Sequence, residues 1–76
     1  MKYLDGSVIQ PGDLIRIDGQ YQGQVVASMD TSSYLPGHES WAYLATGIMV
    51  DTDFGGLVHY TDAATDALEP LIRAAP

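Results

Sequence analysis

The run from Trp41 to Tyr60, WAYLATGIMVDTDFGGLVHY, constrains the fold more than any other part of the 76-residue chain. Gly47-Ile48-Met49-Val50 and Leu57-Val58-His59-Tyr60 are short apolar runs rich in β-branched and aromatic residues. Asp51-Thr52-Asp53-Phe54-Gly55-Gly56 separates them, and its Gly and Asp residues tolerate the positive φ of a tight reversal. A β-hairpin is expected here. Trp41-Ala42-Tyr43-Leu44 reads as a short strand leading into it. A hairpin alone is marginal in water, so the rest of the chain must supply strands that pair with it.

Those strands can be read in order. Asp5-Gly6, between Tyr3-Leu4 and Val8-Ile9, marks one turn, and Pro11-Gly12-Asp13 marks a second. Leu14-Ile15-Arg16-Ile17-Asp18 alternates, with Ile15 and Ile17 on the core face and Leu14 left on the polar side. Asp18-Gly19 opens the next turn. Tyr21 to Met29 is a strand with Val25, Ala27 and Met29 on one face and Gly23 as the expected bulge or bend. From Asp30 to Ser40, DTSSYLPGHES, the pattern stops and Tyr34-Leu35 is the only apolar pair. Loops of this length in small domains tend to carry function. Thr61-Asp62 is placed to cap a helical turn over 63–68. Pro70 bars a helix beyond it, so Leu71-Ile72-Arg73 is expected as a closing edge strand. Five to six short strands punctuated by Gly, Pro and Asp predict one all-β domain over residues 1–76, a small antiparallel barrel. The succession of Gly-Asp turn, strand, curved strand, long loop and tight hairpin looks like an SH3-like barrel.

Charge narrows the function. Ten acids oppose three bases, a formal net charge of −7. No Lys or Arg lies between Arg16 and Arg73, an interval that holds Asp18, Asp30, Glu39, Asp51, Asp53, Asp62, Asp66 and Glu69. Phosphate backbones and anionic membranes require basic surfaces, so direct binding to nucleic acid or membrane is disfavoured and a basic protein partner is favoured. The chain has no Cys, which removes disulfides and thiolate metal sites and suits a reducing compartment. Met1 to Gly6 has no apolar leader region, and no run approaches the ~18 apolar residues of a membrane span, so a cytoplasmic location is expected.

Motifs for catalysis and cofactors are missing. Asp51-x-Asp53-x-Gly55 opens like a calcium loop, but Gly55 takes the place of an acid and Asp62 that of the closing Glu. An acidic turn is the better reading. His38 and His59 are the only histidines, too few for a His-based zinc site. No Gly-x-Ser-x-Gly or phosphate-binding glycine loop occurs. A non-enzymatic chain without cofactor or metal is expected. Aromatic and acidic residues instead gather in the second half, as in protein interfaces anchored by Trp and Tyr with polar rims. The candidate partner-binding residues are Asp30, Tyr34, His38, Glu39, Trp41, Tyr43, Asp51 and Asp53. Tyr34, in a polar loop, is the aromatic most expected to face a partner. Trp41 and Phe54 are assigned to the core first.

Three blocks carry a family resemblance: Asp5-Gly6…Gly12-Asp13…Gly23-Gln24-Val25, the loop Ser28-Met29-Asp30…Tyr34-Leu35-Pro36, and Trp41-Ala42-Tyr43-Leu44…Gly47-Ile48-Met49-Val50. Gly56-Leu57-Val58-His59-Tyr60 extends them. With these the chain resembles short bacterial SH3-like β-barrel proteins of largely uncharacterised function. That resemblance implies an immunity protein, which neutralises a toxin passed between bacteria. Binding would be through the Asp30–Ser40 loop and the Asp51–Asp53 turn, set against a cationic cleft. The alternative is an SH3-like module that binds a peptide or an assembly partner in a groove shared by Tyr34 and Trp41. A small-molecule or metal sensor comes third.

Overall fold

The computed structural model describes residues 1–74, and of residues 62–64 the backbone alone. Six strands form one antiparallel sheet: β1 Leu14–Ile17, β2 Tyr21–Ser28, β3 Ser33–Tyr34, β4 Ile48–Thr52, β5 Gly56–Tyr60 and β6 Leu68–Ile72. Their order is β5-β4-β2-β1-β6, with β3 also paired to β2. The all-β class and the hairpin are as expected. Val50 pairs with Val58 at the centre of the β4–β5 ladder, and Thr52 with Gly56 beside the turn. The sheet is not a closed barrel, because no ladder joins β5 to β6 among the described residues.

Alternation puts one apolar set on the inner face. Ile15 and Ile17 of β1, Val25 of β2, Ile48 and Val50 of β4 and Leu68 of β6 form a single buried cluster with Met1, Tyr3 and Ile9 of the amino-terminal arm. Burying each aliphatic side chain of this size is worth about 1.5–3 kcal/mol before conformational entropy is set against it. The arm is held by a bridge between Lys2 and Val8 around the Asp5-Gly6 turn, where Gly6 has φ 89°. β6 starts earlier than expected, at Leu68, and Pro70 lies within it opposite Ile15. This is tolerated because β6 is an edge strand and the missing N–H can face away from β1.

β2 bends at a different place from the one expected. The register slips between Val25 and Ala27, so the bulge lies there and not at Gly23. The extra residue turns the strand over. Val25 stays in the inner cluster, while Val26, Ala27 and Met29 join Met49 in a second buried cluster. Gly23 serves another purpose: a Cβ there would lie 2.6 Å from Val50 Cγ1 and 3.0 Å from the Asp51 carbonyl oxygen. The strands approach too closely for a side chain.

Trp41 to Leu44 is not a strand. It belongs to a 3₁₀ turn, Glu39–Leu44. The reason is that both edges of β2 are already taken, by β1 and β3 on one side and β4 on the other. Three residues per turn also bring Trp41 and Leu44 to the same side, where both pack on Val26, Ala27, Met29 and Met49. A strand would have paired Trp41 with Tyr43 instead, and Tyr43 is 74% exposed. Phe54 is not in the core either. It sits at the hairpin tip, 48% exposed, with its ring 4.6 Å from that of Tyr21. The helical turn after Thr61 is a 3₁₀ helix, Asp62–Ala67, and the Thr61 side chain makes no capping bond.

Ser28, paired with Ile48, is fully buried, and its Oγ has no hydrogen-bond partner among the described residues. Removing a buried hydroxyl that makes no bond removes only its desolvation penalty. Ser28→Ala is therefore expected to hold stability or raise it by about 1 kcal/mol in a urea titration. A loss of that size would contradict this account of the site.

Candidate functional site

The Asp30–Ser40 loop folds back over the sheet. Leu35 N–H donates to the Val26 carbonyl at 2.9 Å, His38 N–H to Leu35 at 3.0 Å and Trp41 N–H to His38 at 3.3 Å. The Trp41 indole N–H donates to His38 Nδ1 at 3.2 Å, which ties the loop to the 3₁₀ turn. Tyr34, expected to face a partner, pairs with Ala27 and is half-buried against the second cluster beside Leu35, Trp41 and Leu44. Tyr34 and Trp41 act as a cover for the outer face. Glu39 and Tyr43 remain exposed on top of that cover.

Asp30 has a structural task. Its Oδ2 accepts the Met1 ammonium at 2.7 Å, and its Oδ1 accepts Gly47 N–H at 3.2 Å. The amine first, and the Gly47 amide after it, hold the Asp30 carboxyl below the usual carboxylate range. Asp5 is lowered as well, by the Ser7 hydroxyl and amide and then by Arg73. A depressed folded-state pKa contributes stability that is complete above the unfolded value of about 3.9 and is lost as pH falls through the folded value. Melting temperature should therefore drop steadily below about pH 5, and the drop should be shallower in Asp30→Asn. Identical acid slopes in the two proteins would contradict the assignment.

Asp51 and Asp53 lie elsewhere, on the half of the outer face that the loop leaves open. The registers set out a row of direct cross-strand neighbours: Leu57 opposite Asp51, Asp51 opposite Gln24, Gln24 opposite Leu14, and Leu14 opposite Ile72. All five are exposed, Ile72 at 62%. Beside this row Asp53 N–H donates to the Gln22 carbonyl at 2.9 Å, and Asp53 Oδ1 accepts Gln22 N–H at 3.2 Å. Leu14, Gln22, Gln24, Asp51, Asp53, Leu71 and Ile72 line an open groove of about 570 Å³. Arg16 pairs in register with Gln22 and reaches Glu69 Oε1 at 3.5 Å. The groove thus offers two carboxylates, two amides and an apolar floor.

The candidate residues fall into three groups. Tyr34, His38, Glu39, Trp41 and Tyr43 belong to the loop cover, Asp30 anchors the chain end, and Asp51 and Asp53 line the groove. Leu14, Gln22, Gln24, Leu71 and Ile72 line the groove and were not among the sequence candidates. One signal was present: Leu14 breaks the polar alternation of β1 on its outward side. Among the described residues, no three His, Asp or Glu side chains come together as a metal site, and no helix is long and apolar enough to cross a membrane. The acidic turn is a hairpin and not a helix–loop–helix. The Asp62 side chain lies outside the described residues. The chain matches no family model, and comparison with curated proteins and with solved structures gives no match.

Proposed function

We propose that the chain is a non-enzymatic binding protein that blocks a basic protein partner, in the manner of a bacterial immunity protein, in the cytoplasm. The observation that carries this reading is the open half of the outer sheet face, where Asp51 and Asp53 flank Leu14, Leu71 and Ile72. Arg16, in register with Gln22, is paired with Glu69, and Arg73, next after Ile72, is paired with Asp5. Carboxylates around an exposed apolar centre suit a partner whose lysines and arginines ring an apolar patch. The chain's net charge of −7 adds long-range attraction for such a partner. Blocking would be steric: the domain covers a cationic cleft that otherwise receives an anionic substrate.

Capture from a lysate of the source organism tests the reading, with tagged protein, low-salt binding and a high-salt wash. A basic protein released by salt, whose own activity the purified chain inhibits stoichiometrically, is the expected result. A partner held equally at high salt, or one whose activity is unchanged, would overturn it. The alternative of a peptide-binding module would need a groove shared by Tyr34 and Trp41, and these two residues lie against Met29 and Met49.

A further inference from the structure

We propose that the open half of the outer face receives a basic amphipathic helix, lying across the strands along the Leu57–Asp51–Gln24–Leu14–Ile72 row. The inference rests on the binding reading above and adds the form and side-chain pattern of the segment that docks.

Three observations lead to a helix. The first concerns backbone hydrogen bonds. β4, β2 and β1 are each paired on both sides, so their N–H and C=O groups are committed within the sheet. A face of this kind offers an extended peptide nothing for its own backbone groups, whereas a helix satisfies them internally. An extended peptide would add at an edge. The β6 edge beside the groove is spoiled for that by Pro70 and by the register shift opposite Leu14 and Ile15.

The second concerns dimensions. At ~4.8 Å per strand, the row from β5 to β6 spans about 19 Å, the length of about thirteen helical residues at 1.5 Å each. The third is the neighbouring half of the same face. There the protein covers Val26, Ala27, Met29 and Met49 with its own helical turn, Glu39–Leu44, using Trp41 and Leu44 three residues apart. The open half lacks such a cover.

Charge sets the sequence of the occupant. Leu14, Leu71 and Ile72 take apolar side chains from positions i, i+3 or i+4, and i+7. Lys or Arg one turn further along meets Asp51 and Asp53, with its aliphatic stem across Gln24. An acidic or uncharged amphipathic helix would face the same apolar floor without partners for these carboxylates.

The test uses the full chain and a synthetic Lys/Leu amphipathic peptide of about fourteen residues, with a same-composition control carrying a central Pro that prevents helix formation. Binding is read by anisotropy of labelled peptide, helix formation by circular dichroism, and location by amide shifts. The helical peptide should bind, gain helicity, and shift residues of β1, β2, β4 and β6, and the Pro control should bind at least about tenfold more weakly. Leu14→Gln with Ile72→Gln leaves the charge unchanged and should lose about tenfold, and Asp51→Lys with Asp53→Lys should lose more. Glu39→Lys, outside the groove, should stay within about threefold. These are exposed positions, and a melting curve for each variant confirms its fold. Equal binding of both peptides, with loss on Asp51/Asp53 reversal, overturns the helix and leaves the acidic binding reading standing. Shifts confined to β5 would mean edge addition and would overturn it too. Loss in Glu39→Lys equal to that in the groove reversal would mean charge without a site. No binding of either peptide also overturns the inference, while the capture experiment decides the broader reading separately.

Discussion

Replacing Asp13 with Ala is expected to cost about 3–5 kcal/mol, as much as truncating a core side chain. The Asp13 carboxylate is buried, 1% exposed, where the amino-terminal arm, the start of β1 and Ala74 beyond β6 meet. Oδ2 accepts the Tyr3 hydroxyl at 2.6 Å and Gln10 N–H at 3.1 Å, and Oδ1 accepts Ala74 N–H at 2.6 Å. Ala would leave all three donors without their acceptor, and the Tyr3 hydroxyl among them is buried. A domain of this size has roughly 4–11 kcal/mol in total, so the variant should melt at least ~15 °C lower or fail to fold at 37 °C. Tyr3→Phe removes one donor and should cost about 1–2 kcal/mol. Burial, and then the bond and the charge of Asp13, push the Tyr3 hydroxyl far above its usual range. That raised value means stability is complete below about pH 10 and is lost above it, as the unfolded chain ionises first. A variant of Asp13→Ala melting within a few degrees of the parent would remove the network from the account.

The second large effect is expected at Gly47. Its φ is +85°, and a Cβ would run into the Tyr60 carbonyl oxygen and lie 2.9 Å from His59 Nε2. Two bonds also depend on its backbone: Gly47 N–H to Asp30, and Met29 N–H to the Gly47 carbonyl at 2.9 Å. Gly47→Ala combines left-handed strain with a backbone clash at the entry to β4, and about 2–4 kcal/mol is expected. The clean comparison is Gly55→Ala in the same hairpin, where nothing lies within 4 Å of the added Cβ. Chemical denaturation should separate the two by at least ~2 kcal/mol, and equal values would contradict the close approach of Gly47 to β5.

What could be read from the chain follows from how local each interaction is. The hairpin was legible because Ile48 to Val50 and Leu57 to Tyr60 are separated by their own turn signal. Ile15 and Ile17 gave the inner face because period-two alternation is a property of four consecutive residues. Pro70 placed β6 at an edge for the same local reason. The bulge at Val26 was not legible, since Val25-Val26-Ala27 is uniformly apolar and either face accepts it. The 3₁₀ turn follows from competition for the edges of β2, which only the assembled sheet decides. Phe54 looked like core by composition, yet a hairpin tip lies beyond the reach of the core. Asp13 read as an ordinary turn acid and Asp30 as a partner-binding one, because their partners Ala74 and Met1 lie 61 and 29 residues away. Half of the groove's polar lining was legible. Asp51 and Asp53 stood out by charge, but their apolar neighbours come from β1 and β6, brought together by register alone. The loop, where the apolar pattern of the sequence stops, is held by Tyr34 and by Trp41 of the turn that follows it.

The most direct test of the binding account is the affinity of the captured basic partner for the parent chain and for Asp51→Lys with Asp53→Lys, measured across a range of salt. The account predicts a Kd at least ~100-fold higher for the reversed chain at low salt, and a flatter dependence on salt, with both proteins still melting cooperatively as folded domains. Equal affinity and an equal salt slope in the two proteins would place the interface elsewhere and contradict the account.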